Sequence, residues 1–213
     1  MFTKMANAIA IAVKKGGGVG DPDMNFSLRL AVDKARAVSM PKENIQRAIE
    51  RGMGSGAGVE LAELVIEGFA PGGVSVVATV VTDNRNRTVS ELRNLFEKHG
   101  GRMGEPGSVM YQFEPCGIVT YEGMLQEELQ LALIDLGMQD IVPEEDGGVV
   151  YTSPEAVSAV TKVLMDKGLQ SVSGTLGYRA KTTTTATDLA ATENFLETIS
   201  EYDDVQEVYA NLA

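Results

Sequence analysis

The chain has no tryptophan, one cysteine and one histidine among its 213 residues, and aromatic residues make up only 6% of it. Each shortage removes a class of protein. Cys116 alone supplies neither an internal disulfide framework nor a CxxC pair for zinc or redox chemistry, so a reducing compartment is expected. His99 alone leaves no Ser-His-Asp or Cys-His relay, and its place at the end of a helical pattern reads as a C-cap. Sparse aromatics, with no zinc pattern and no helix-turn-helix spacing, argue against sequence-specific base readout. No stretch reaches the ~20 apolar residues of a membrane span, and the first residues carry no signal-peptide h-region of the usual form. A cytoplasmic protein without a membrane partner is expected.

What is present is enough apolar material for a real core, 44% of the chain, which at this length buries roughly 70% of the unfolded surface. The net charge of -12 looks unfavourable for a polyanion partner until it is divided along the chain. Residues 1–51 hold nine Lys and Arg against five Asp and Glu, and residues 52–102 hold five against six. The remaining residues hold four against nineteen. A phosphate-facing surface therefore belongs in the first half.

Periodicity divides the chain. Met5, Ile9, Ala12 and Val13 recur at helical spacing, with Thr3 as a cap and Gly16 to Gly18 as the stop. Leu28, Val32 and Ala35 mark a second helix over about 27–38. Pro41 opens a third to Arg51, with Ile45, Ala48 and Ile49 inward and Glu43, Arg47 and Arg51 outward. The glycine-rich run 52–58 then reads as a boundary. Two β-rich runs joined by Pro71-Gly72-Gly73 predict a hairpin, and Thr88 with Glu91 has capping-box spacing ahead of a helix ending at His99. Residues 108–113 read as strand. From Gly117 the order is βαββαβ, that of a ferredoxin-like domain, followed by a helix over 188–200 and a strand over 205–209. Thr182 to Thr185 fits either an edge strand or a linker. The expected fold is α+β in three domains: three helices at 1–57, a middle α/β domain at 58–116 plus 186–213, and a ferredoxin-like domain inserted at 117–185.

Most candidate chemistry reads as ordinary structure. Gly16 to Gly20 follow a helix and meet Asp21 where a phosphate loop needs glycine, so they form a turn. Glu144 to Gly148 lack the alternating ligand spacing of a calcium loop and read as a solvated hairpin. Cys116 has no cation near it in sequence and reads as a packed thiol. No cofactor, metal or small-molecule substrate is expected. Two constellations remain as nucleic-acid-binding candidates. One is the helical face with Lys34, Arg36, Lys42, Arg47 and Arg51, whose alternative is a solvated face paired as Arg29 with Asp33 and Glu43 with Arg47. The other is Asn84, Arg85, Asn86 and Arg87, read as a loop presenting two guanidinium forks ahead of a helix N-terminus, with neutralisation by Asp83 as the alternative.

Five segments carry a resemblance: FTKMANAIAIAVKKGGG, LRLAVDKARAVSMPKENIQRAIERG, EGFAPGGVSV, TDNRNRTVSELRNLFEKHGG and GSVMYQFE. In this order, over nearly the whole chain, they resemble the YebC family. The resemblance implies a helical domain followed by two α/β domains, and a cytoplasmic, non-enzymatic regulator of gene expression. It implies a DNA-binding transcriptional regulator, a ribosome-associated translation factor relieving stalls at proline runs, or both. It also implies a further basic segment with an SKW-like motif ahead of the FTK, a leading candidate for nucleic-acid contact. Two other classes stay open: a small-molecule-binding module, on fold analogy alone, and a protein adaptor whose acidic C-terminal half docks a basic partner.

Overall fold

Alanine, isoleucine and lysine dominate the first segment, and it forms α1 (Phe2–Lys15) in a computed structural model that describes residues 2–54 and 61–213. Thr3 lies inside this helix, not at its cap. α1 is apolar on two sides because it is buried on two sides. Ile9, Ala12 and Val13 pack with Leu28, Val32 and Ala35 of α2 (Phe26–Ala37) and Ile45, Ala48 and Ile49 of α3 (Lys42–Gly52). Ala10 and Ile11 face the other way, against Leu61 and Val81. Asn25 caps α2 by accepting the Leu28 N–H at 3.1 Å and donates to the Ala12 and Val19 carbonyls at 3.0 and 3.1 Å. This fixes the glycine turn against α1, where a Cβ at Gly16 would stand 2.1 Å from Asn25 Nδ2. Gly52 is the last residue of α3 and Gly54 has φ +75°; residues 55–58 of the glycine-rich run lie outside the described residues.

β1 (Ala62–Phe69) and β2 (Ser75–Thr82) form the hairpin, with Phe69 opposite Ser75 and Ala62 opposite Thr82. Gly72 and Gly73, at φ +79° and +82°, make the left-handed turn that the Pro-Gly-Gly sequence predicts. α4 (Arg85–Lys98) follows, with His99 as its C-cap, then β3 (Arg102–Met103). α7 (Leu189–Glu201) and β8 (Val205–Ala210) return from the far end of the chain, and the sheet order is β3-β1-β2-β8. β2 is buried on both faces. Val76, Ala78 and Val80 pack with Leu92 and Phe96 of α4 and Phe195 and Ile199 of α7, whereas Val81 meets α1. A strand covered on both sides reads as the nearly continuous apolar run SVVATVV. Phe96 and Phe195 meet edge to face, centroids 4.9 Å apart.

The intervening segment is a βαββαβ unit: β4 (Phe113–Glu122), α5 (Glu127–Asp135), β5 (Met138–Glu144), β6 (Gly147–Thr152), α6 (Val157–Asp166) and β7 (Gln170–Ala180). Its sheet order β5-β6-β4-β7 is the ferredoxin-like one. Gly117 lets α6 approach β4, since a Cβ there would lie 2.0 Å from Val157 Cγ2. Residues 108–113 are not a strand: Met110–Gln112 form a short 3-10 turn and β4 starts at Phe113. Pairing of β4 with β6 starts at Gly117, so Pro115, which lacks an N–H, costs that ladder nothing. Thr184 makes a single bridge to Leu212 and belongs to the return connection.

The fold is thus α+β, a helical region followed by α/β parts, with seven α-helices and two antiparallel sheets among the described residues. Met1–Glu114 with Ala180–Ala213 form one compact unit and Pro115–Arg179 the other. Among the described residues no helix is long and apolar enough to cross a membrane.

Candidate nucleic-acid interface

The basic residues of the first half separate into paired and unpaired sets. On α2, Lys34 reaches Glu207 of β8 at 3.7 Å and Arg36 pairs with Asp33 at 3.4 Å. Arg29 pairs with Asp23, not with Asp33 as helical spacing suggests. On α3, Lys42 and Arg47 are exposed and make no ion pair among the described residues; Arg47 donates instead to Asn44 Oδ1 at 2.5 Å and to the Glu43 carbonyl.

Arg51 departs from the outward reading. It turns toward α1 and donates to Asn7 Oδ1 at 2.8 Å, while Asn7 Nδ2 donates to the Val81 carbonyl of β2 at 3.4 Å. Its Nε is buried without a hydrogen-bond partner among the described residues. Burial lowers the Arg51 pKa and the field of Asp83 partly opposes that fall. Asn7, a polar side chain buried in an apolar helix, thus stitches α1 to both α3 and the sheet.

The Asn-Arg segment is also not a loop. Arg85 is the first residue of α4, and the cap is Asn84, whose Oδ1 accepts the Arg87 N–H at 3.1 Å. Thr88, expected to cap, lies inside the helix and is fully buried. Its hydroxyl donates to Asp204 Oδ2 at 2.6 Å and sits 2.7 Å from the Thr82 hydroxyl, which accepts the Asn84 N–H at 3.0 Å. A carboxylate only accepts, so Thr88 gives its proton to Asp204 and Thr82 is the donor to Thr88. Arg87 is held by Asp83 at 3.0 Å and Asp204 at 3.2 Å, and the Asp204 bond raises its pKa. Arg85 and Asn86 remain exposed, with Arg85 free of ion pairs among the described residues.

Arg51 and Arg87 line one cleft of about 420 Å³, together with Asp83, Glu91, Asp203 and Asp204. Tyr202 also lines it and donates to Glu91; burial, then this bond, raises the Tyr202 pKa. Two guanidiniums face four carboxylates, so the cleft interior repels phosphate. Its cations organise the junction of α1, α3, α4 and the turn that precedes β8. The sequence patterns do not reveal Asp204, Thr82, Asn7 or Tyr202 as members of this cluster, because their partners lie on other elements. Among the described residues no group of three His, Cys, Asp or Glu is placed to hold a metal.

Two family models cover the chain: "TACO1/YebC protein N-terminal domain" matches residues 1–55 and "TACO1/YebC second and third domain" matches residues 61–212. A "probable transcriptional regulatory protein" of Chloroflexus aurantiacus is 44% identical over 218 residues, spanning 100% of this chain and 86% of the relative. One of the same description from Clostridioides difficile is 40% identical, spanning 99% of this chain and 90% of the relative. The crystal structure of a conserved hypothetical protein from Aquifex aeolicus superposes with a TM-score of 0.89 at 36% identity, covering 100% of this chain and 88% of that one.

Proposed function

The chain belongs to the TACO1/YebC family, and from that membership we propose that it is a non-catalytic regulator of gene expression that holds a nucleic-acid backbone. Lys42 and Arg47 on α3 and Arg85 at the start of α4 are the cations proposed to touch phosphate, with Asn86 as a neutral donor beside them. One observation carries this reading: the chain pairs Arg87, Lys34 and Arg36 with its own carboxylates but leaves Lys42, Arg47 and Arg85 without an acidic partner among the described residues. Arg47 stands one turn before the cleft-lining Arg51 on α3, whereas Arg85, two residues before the cleft-lining Arg87, points to another side of α4. Exposed unpaired cations suit contact with a phosphate backbone, which the acidic cleft itself does not admit. In domain terms we read 1–57, 58–116 with 186–213, and 117–185, with the first two presenting this surface.

DNA and ribosomal RNA both offer that backbone. Sedimentation of a native lysate through a sucrose gradient, with the protein followed by blot, separates them. Co-migration with ribosomal particles that is lost on nuclease treatment identifies RNA as the target. Recovery with chromosomal DNA and not with particles identifies DNA. Migration as a free protein, with no nucleic acid recovered at any low-salt step, overturns the proposal.

A further inference from the structure

The ferredoxin-like unit has a different character from the rest of the chain. Residues 115–179 carry ten carboxylates against three cations, so this unit does not invite a polyanion. It nevertheless exposes large apolar side chains. Met124, in the connection from β4 to α5, is 87% exposed, and Leu131 and Ile134 on α5 are 65% and 54% exposed. A groove of about 650 Å³ lies between this connection and the β5–β6 hairpin. Its apolar lining comes from Met124, Leu125, Ile141 and Pro143, and Glu144, Glu145 and Asp146 line it at the β5–β6 turn. The Gly123 N–H donates to the Asp146 carbonyl at 2.8 Å, and Gln130 Nε2 donates to the Leu125 carbonyl at 3.3 Å. Both bonds hold the walls in place without a ligand. Among the described residues no Lys or Arg lines the groove.

We propose that this groove docks a basic segment of a protein partner, which inserts a large apolar side chain between Met124 and Pro143 and sets its cations against Glu144, Glu145 and Asp146. An unbranched methionine exposed at the mouth adapts to different apolar side chains, as at other peptide-binding surfaces. The acidic end decides the occupant: it attracts lysine or arginine and rejects phosphate. The groove belongs to the unit Pro115–Arg179 and the nucleic-acid surface proposed above to the other, and neither proposal rests on the other.

The probe is a short fluorescein-labelled peptide of alternating lysine and leucine, titrated by anisotropy against the full chain, with a lysine-serine peptide of equal charge as control. Met124→Asp changes a side chain that supports no core, and Glu144→Lys with Glu145→Lys reverses the acidic end. Each is expected to weaken the lysine-leucine peptide about tenfold. Glu155→Lys with Asp166→Lys makes the same charge change at exposed positions outside the groove and is expected to stay within about twofold. Three results in the peptide assay overturn the proposal. The lysine-serine peptide binds as well as the lysine-leucine one; the outside pair weakens binding as much as the groove pair; or Met124→Asp leaves peptide binding intact. Loss of labelled duplex DNA or RNA binding in Met124→Asp also overturns it, since the groove would then serve nucleic acid.

Discussion

A buried carboxylate is costly unless donors replace its water, and Glu67 in the middle of β1 has three. It accepts the backbone N–H groups of Gly107, Val109 and Met110 at 2.6, 2.8 and 2.8 Å. Burial pushes its pKa up, but the three N–H bonds outweigh burial and hold it below the ordinary carboxylate range. Glu67 therefore fixes the segment that leads into β4. Glu67→Gln keeps the shape but weakens the charge-assisted bonds, and it is expected to cost about 2 kcal/mol at neutral pH. The folded-state pKa is depressed, so the stabilisation is fully present above the unfolded value and is lost as pH falls through the folded one. Denaturant melts of both proteins are expected to differ by a constant amount at neutral pH and to converge below about pH 4. A gap that persists in acid would show that the charge is not what holds the segment. The sequence shows Glu67 only as a polar residue in a β-rich run, because its partners lie some forty positions away in a segment that reads as strand.

At the scale of the element, the first turn of α4 contains two arginines with opposite fates. Arg87 faces Asp83 and Asp204, whereas Arg85 faces solvent. Asp204→Ala removes the acceptor of a buried hydroxyl and is expected to destabilise the fold by about 1–3 kcal/mol. Arg85→Gln is expected to leave the melting temperature unchanged and to weaken nucleic-acid binding severalfold. Calorimetry and anisotropy on the same two variants check this, and the reverse pattern would make Arg85 structural. The helices, the Pro-Gly-Gly hairpin and the βαββαβ order are legible because each rests on local periodicity or turn chemistry. The roles of Arg51 and Arg87 are not. Outward spacing on α3 places Arg51 beside Arg47, and only the packing of α1 supplies the Asn7 amide that turns it inward. Likewise Thr88 and Glu91 have capping-box spacing, but Asn84 captures the cap and Asp204, from the far end of the chain, captures Thr88.

For the whole molecule, the net charge of -12 divides into -7 on the smaller unit and -5 on the larger one. The unit Pro115–Arg179 carries ten of the thirty carboxylates and only three of the eighteen cations. The other unit holds every cation of the proposed backbone-binding set. Backbone binding by such a surface releases counterions, so its strength falls with salt in proportion to the number of phosphates neutralised. The most direct measurement is therefore the slope of log K against log salt for a labelled DNA duplex, taken for the natural chain and for Lys42→Gln, Arg47→Gln, Arg85→Gln together. Each lost contact removes about 0.9 from the slope, so the triple variant is expected to flatten it by roughly 2 to 3, with the fold intact by circular dichroism. A triple variant that keeps both the slope and the affinity of the natural chain would contradict the assignment of these residues to the nucleic-acid surface.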